Sequence, residues 1–287
     1  METTTIRWGA GPVTFELRSS DPEVVDHARR AFRVWQPETE DVLGSWTVSR
    51  QGDELTVDPR PEMPDGVEEQ TVRTAVHAVA TVEYAAVAKI FEHCDDVLTF
   101  HAALLSREGR AVTIVGPSCA GKSTLSTALW RDGWHFHCDD LTMVRGLDVW
   151  PAPRRVGLRR ESRALLGEPL WNRILDSDSY LPTDRGALFQ PQELEPRSPE
   201  NKQLAGIFFL SRSGASAETT SPTKLLPAHA AMAIFPYSNL ARRFSFSEAF
   251  RPVGELMSRV PAWDLPRAPL EEMVQSVNQL VLGRDGD

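Results

Sequence analysis

The run Gly116-Pro117-Ser118-Cys119-Ala120-Gly121-Lys122-Ser123 constrains this chain more than any other stretch. It matches GxxxxGK[ST] throughout, follows the apolar run Ala111 to Val115, and precedes Thr124 to Trp130, which can form a helix. Strand, glycine-framed turn and helix in that order aim successive backbone N–H groups, and the positive end of the helix, at one point. Phosphate oxygens are held at such points. On this reading Gly116, Pro117, Ser118, Cys119, Ala120, Gly121, Lys122, Ser123 and Thr124 form a nucleotide-binding turn. Lys122 neutralises the β- and γ-phosphates of the nucleotide, and the Ser123 hydroxyl ligates Mg2+. The expected fold is therefore α/β, a P-loop-containing sheet flanked by helices, preceded by a small N-terminal α+β module.

A second signal lies downstream. Trp134 to Cys138 reads as a short strand ending in Asp139-Asp140, at the distance where the next strand comes beside the first. Adjacent acids also cap turns, but beside a phosphate-binding turn they suit chemistry: one holds Mg2+, and the other accepts the proton of an attacking hydroxyl. Phosphate recognition has to be local here. With 31 Lys and Arg against 40 Asp and Glu, the net charge of −9 disfavours non-specific grip on nucleic acid or an anionic membrane. The cysteines Cys94, Cys119 and Cys138 form no CxxC pair, which fits a reducing, cytoplasmic setting. The N-terminus lacks the apolar core of a secretion signal, and no long uncharged apolar run is present, so neither export nor membrane spanning is expected.

The chain divides by pattern into an α+β module over 1–66, a bridging helix over 67–93 and a kinase-like domain over 94–287. Ile6 to Leu17 reads as a strand, and Asp21-Pro22-Glu23 caps a helix running from Val24 to Val34. Trp46 to Arg50 and Glu54 to Asp58 flank Gln51-Gly52-Asp53 as a hairpin, with Pro59 to Gly66 as a connector. Val72, Val76, Val79, Val82 or Ala86, and Ile90 give the bridge its apolar stripe. Beyond the acid pair, Ala205 to Leu210 reads as a strand and Ser211 to Pro222 as a surface loop. Ala228 to Ile234, Leu240 to Met257 and Pro269 to Leu282 read as helices.

Arginines cluster at Arg154, Arg155, Arg159, Arg160 and Arg163, where guanidinium forks suit phosphate or an acidic substrate. Arg155 and Arg159 are the candidate contacts, and Arg242 or Arg243 offers another phosphate-stabilising charge. Charge runs are also common on plain solvated faces. His135, His137 and Cys138 lack a further ligand at zinc spacing, and strand packing is the simpler reading.

Over His101 to Met143 the chain resembles the HPr kinase/phosphorylase family and its HPr-kinase-like relatives associated with peptide modification. The shared order is His101-Ala102-Ala103, the strand Ala111 to Val115, the turn Gly116 to Ser123, Gly133, then His137-Cys138-Asp139-Asp140. Cys119 stands where the family pattern GxSGxGKS has its second glycine. The resemblance implies a core like that of phosphoenolpyruvate carboxykinase and phosphoryl transfer from ATP to a hydroxyl. It implies Asp140 as the base that activates the acceptor, Asp139 as its support or a Mg2+ ligand, and His101 beside the reacting phosphates. Glu161 is the nearest match to the family's further metal-binding Glu. The expected acceptor is a Ser of a peptide or small protein. A small-molecule alcohol, or a binding role without turnover, remains as the alternative. The family also implies a homo-oligomer.

Overall fold

A computed structural model describes residues 2–33, 35–37, 39–59, 72–94, 97–150, 152, 154–191, 202–210, 221–243 and 246–283. Most of Pro59 to Gly66 and of Ser211 to Pro222 therefore lies outside the described residues.

The first unit is a four-stranded sheet in the order β1-β2-β3-β4. β1 (Thr4–Ala10) and β2 (Val13–Ser19) form a tight hairpin with Ala10 opposite Val13. The single strand expected over Ile6 to Leu17 is thus two strands. The reason is Gly11-Pro12, where Gly11 takes φ +59 at the first central position of the turn, a conformation that matches strand twist and favours glycine. α1 (Pro22–Phe32) starts at Asp21, whose carboxylate accepts the N–H groups of Glu23 and Val24. The helix carries the chain across to β3 (Val42–Gln51), which runs parallel to β2, and β4 (Glu54–Asp58) returns antiparallel as the expected hairpin. Trp8, Phe15, Phe32 and Trp46 close the inner face, Trp8 stacking on Phe32 with ring centroids 4.0 Å apart.

α2 (Ala75–His93) is capped by Thr74, whose hydroxyl accepts the His77 N–H, and it buries Ala78, Val79, Val82, Glu83, Ala86 and Ile90. Of the expected stripe, Val79, Val82, Ala86 and Ile90 are buried, Val76 is half-buried, and Val72 lies ahead of the helix, which starts at Ala75; Glu83 is a carboxylate in the middle of the stripe.

The second unit is built on a nine-stranded mixed sheet, which makes the fold α/β. β5 (Leu98–Phe100), β6 (Ala102–Arg107) and β7 (Arg110–Val115) lead into α3 (Lys122–Arg131). Then come β8 (His135–Cys138), β9 (Thr142–Arg145) and β10 (Asp148–Trp150). A separate three-stranded sheet, in the order β11-β13-β12, follows from β11 (Val156–Arg159), β12 (Leu181–Thr183) and β13 (Gly186–Phe189). Between β11 and β12 lie α4 (Ser162–Leu166) and α5 (Glu168–Leu175). β14 (Lys202–Leu210) returns to the large sheet beside β7 and parallel to it. β15 (Thr223–Lys224), α6 (Pro227–Ile234), a 3-10 turn Phe235–Tyr237, α7 (Leu240–Arg243), α8 (Phe246–Arg259), β16 (Ala262–Leu265) and α9 (Leu270–Leu282) complete the chain.

The strand order β14-β7-β6-β8 corrects one expectation. β8 does not lie beside β7, because β6 turns back at Glu108-Gly109 and takes that place. Both faces of the sheet are apolar, so β7 reads as a continuous buried run rather than an alternating one. Leu104, Val115 and Ile207 face a core shared with α2 and the N-terminal sheet, while Leu105, Ile114 and Phe208 face α3 and α9. No helix among the described residues is long and apolar enough to cross a membrane.

Candidate functional site

Three strand ends meet at one edge of the large sheet. β7 and β8 both run antiparallel to β6, so their C-terminal ends lie beside the N-terminal end of β6. β7 delivers the turn Gly116 to Ser123, β8 delivers Asp139 and Asp140, and His101 stands just before β6.

The turn is shaped by positions that tolerate little change. A Cβ on Gly116 would lie 3.0 Å from the Leu210 carbonyl oxygen, so glycine lets the turn leave β7 against the end of β14. Gly121 has φ +103 with open space where a Cβ would stand. Cys119 is also left-handed, at φ 68, although it carries a side chain. A conformation that favours glycine is thus held here by a residue with a side chain. Ala120 N–H donates to the Pro117 carbonyl at 3.1 Å, and α3 begins with no side-chain cap on its first N–H groups. Lys122 is buried, and its Nζ reaches back 2.8 Å to the Gly116 carbonyl, bringing a positive charge to the same turn.

Asp139 is 1% exposed. Its Oδ2 accepts the Ser123 hydroxyl at 2.8 Å and the Gly157 N–H at 3.3 Å. Its Oδ1 has no hydrogen-bond partner, an arrangement that leaves a buried carboxylate short of a donor or a cation. Burial, and then the charge of Asp140, push its carboxyl up to about 7. Asp140 is more open, with a left-handed backbone at φ 67 that costs a residue with a side chain about 1–2 kcal/mol. Its Oδ1 lies 3.4 Å from His101 Nε2. His101 is fixed through its own N–H, which donates to the Tyr237 carbonyl at 2.8 Å, and through the bridge from Phe100 to Ser238.

The hydroxyl of Ser123 and the unpartnered oxygen of Asp139 are hard oxygen donors, which fits Mg2+. Among the described residues no group of three His, Cys, Asp or Glu side chains could hold a metal without help. Two protein oxygens still suit Mg2+, which normally keeps several waters and takes its other ligands from phosphates. Glu161 does not complete such a group with the acid pair: it is exposed at the start of α4. Its neighbour Ser162 bonds the Thr124 hydroxyl at 2.9 Å.

The arginines separate. Arg159 lies over the turn, its Nη2 donating to Cys119 Sγ at 2.7 Å in an exposed position. Arg155 faces the other way, and the expectation of a phosphate contact there is corrected. It is 2% exposed, ion-paired with Glu83 at 2.5 Å, and its Nη2 is 2.9 Å from His27 Nε2. A guanidinium buried against a carboxylate is not available to a ligand. Arg163 pairs with Glu168 on the surface, and the side chains of Arg242 and Arg243 lie outside the described residues. His137 bonds Ser106 at 2.7 Å inside the sheet.

Sequence reasoning missed Gly157, Ser162 and the Glu83 to Arg155 pair. Only Glu83 left a readable trace, a lone acid on an apolar helical stripe.

No protein-family model matches this chain, and no curated protein matches it. Among solved structures it is similar to the Hpr(Ser) kinase/phosphatase from Coxiella burnetii, with 16% sequence identity, a TM-score of 0.32, and coverage of 64% of this chain and 88% of that one. What the site can do is read from its own residues.

Proposed function

We propose that this chain is an ATP- and Mg2+-dependent phosphotransferase that moves the γ-phosphoryl group to a hydroxyl, with a Ser of a peptide or small protein as the first acceptor class. The observation that carries this reading is the meeting of Ser123, Asp139 and Asp140 at the mouth of the Gly116 to Ser123 turn, with Asp139 Oδ1 left unpartnered. The ordered set from His101 to Asp140 supports it.

In this mechanism the turn amides and Lys122 hold the β- and γ-phosphates, and Arg159 covers the outer side of the turn. Ser123 and Asp139 would hold Mg2+, which supplies charge neutralisation on the phosphate oxygens. Asp140 accepts the proton of the acceptor hydroxyl as that oxygen attacks in line with the departing ADP. His101, beside Asp140 Oδ1, orients that carboxylate. Adjacent carboxyls in different surroundings divide the work: Asp139 is buried, and Asp140 is open enough to meet a substrate.

The test is label transfer from γ-labelled ATP in the presence of Mg2+, run in parallel against Ser-containing peptides and small alcohols, with wild type and Lys122→Ala. Labelling of peptides that depends on Lys122 supports the reading. Labelling of alcohols alone moves the acceptor class, and ATP binding with no labelled acceptor leaves a nucleotide-dependent binding protein.

A further inference from the structure

Resting on that reading of the site, we infer that Glu83 and Arg155 are positioning residues: from the N-terminal side of the molecule they hold β11 so that the Gly157 N–H meets Asp139. The chain of contacts is short. Glu83, fully buried on α2, sits 2.5 Å from Arg155. Arg155 also reaches His27 on α1 at 2.9 Å and the Ser179 carbonyl at 3.5 Å. Two residues later Gly157 donates to Asp139 Oδ2, the oxygen that also accepts from Ser123.

Four observations exclude simple filling of space. Glu83 stands among otherwise apolar residues in the buried stripe of α2, and a buried ion pair is weak evidence for stability, since well-packed apolar residues serve as well. Glu83 Oε2 and Gln190 Oε1 stay unpartnered, so the cluster is not optimised as a core. Gln190 ties the same cluster to β13, its Nε2 lying 3.5 Å from Glu83 Oε1 and its N–H donating to Ser179 Oγ at 3.0 Å. β13 in turn pairs with β11 in a fixed register, Gly157 opposite Leu188. Glu83 therefore grips β11 both through Arg155 and through its neighbouring strand. What distinguishes β11 from other strands is that its second residue serves Asp139. Fixing that amide fixes which carboxylate oxygen is occupied and which, Oδ1, is left without a partner.

The experiment compares wild type with Glu83→Gln and with the double variant Glu83→Gln/Arg155→Met. The double variant removes both charges, and so avoids the unfolding that an unpaired buried guanidinium can cause. Two quantities are read on folded protein. One is amide hydrogen exchange over 156–159 in metal-free protein. The other is the ratio of ATP affinity with Mg2+ to ATP affinity without it. Positioning predicts exchange at Gly157 faster by about tenfold or more, with β7 unchanged, and a collapse of the Mg2+ ratio while Mg2+-free ATP binding is kept. Unchanged exchange, or faster exchange with the Mg2+ ratio intact, overturns the inference. Absence of any ATP binding by wild type overturns the reading of the site instead, and the exchange data still decide whether the pair holds Gly157 on Asp139.

Discussion

Ser123 Oγ donates to Asp139 Oδ2 across 2.8 Å, tying the first turn of α3 to the end of β8 over the intervening strand β6. This contact sets the spacing between the Gly116 to Ser123 turn and the acid pair. Asp139→Asn keeps an oxygen for the Ser123 hydroxyl but removes the charge. ATP affinity in Mg2+ should fall about tenfold or more, with Mg2+-free affinity unchanged, as titration calorimetry can show.

The same residue makes the stability of the metal-free protein depend on pH. Its carboxyl is raised from 3.8 to about 7, so between those values the native state keeps a proton that the unfolded chain has released. The stabilisation is complete below the lower value and is lost as pH rises through the upper one. The urea midpoint of Asp139→Asn in EDTA, taken relative to wild type, should therefore rise from pH 4 to pH 7.

His27 acts in the opposite sense. Burial, and then the charge of Arg155, lower its pKa from 6.5 to about 3, so the unfolded chain takes up the proton first. This stabilisation is present above the higher value and is lost as pH falls toward the lower one, with a limiting slope of about 1.4 kcal/mol per pH unit. His27→Gln keeps an acceptor for Arg155, and its urea midpoint taken relative to wild type should fall from pH 4 to pH 6.5. Where the two ranges overlap the slopes oppose, so wild type should vary less with pH than either variant.

Cys119 is exposed, whereas Cys94 and Cys138 are buried. A thiol reagent should modify Cys119 alone in the native protein, as peptide mass mapping can show. Mg2+ with ATP should slow that reaction about tenfold or more, because bound phosphates would lie against the turn that carries the thiol. Labelling at an unchanged rate in saturating ATP would place the nucleotide elsewhere.

How far the sequence disclosed this site follows from how local each signal is. Gly116 to Ser123 and Asp139-Asp140 are contiguous, and each carries its own geometry, a left-handed Gly121 and a strand end. They could be read without knowing the strand order. Arg155 could not, because among Arg154, Arg159 and Arg160 it reads as one more guanidinium free to meet a phosphate. Its buried partners, Glu83 and His27, lie far off in the chain. The placement of β6 between β7 and β8 is likewise a pairing choice between equally apolar strands. Gly157 acts through its backbone N–H, a group every residue but proline has, so no side-chain pattern could mark it. The hairpin at Gly11-Pro12 was legible in principle, since that dipeptide is a turn signal within an otherwise continuous alternation.

Asp140→Asn tests the central claim most directly, measured by single-turnover transfer of the γ-phosphoryl group at saturating Mg2+ and ATP. The substitution keeps the shape of the side chain beside His101 and removes the proton acceptor. The account predicts nucleotide binding close to wild type and a transfer rate lower by about 100-fold or more. Equal rates in the two proteins would contradict it.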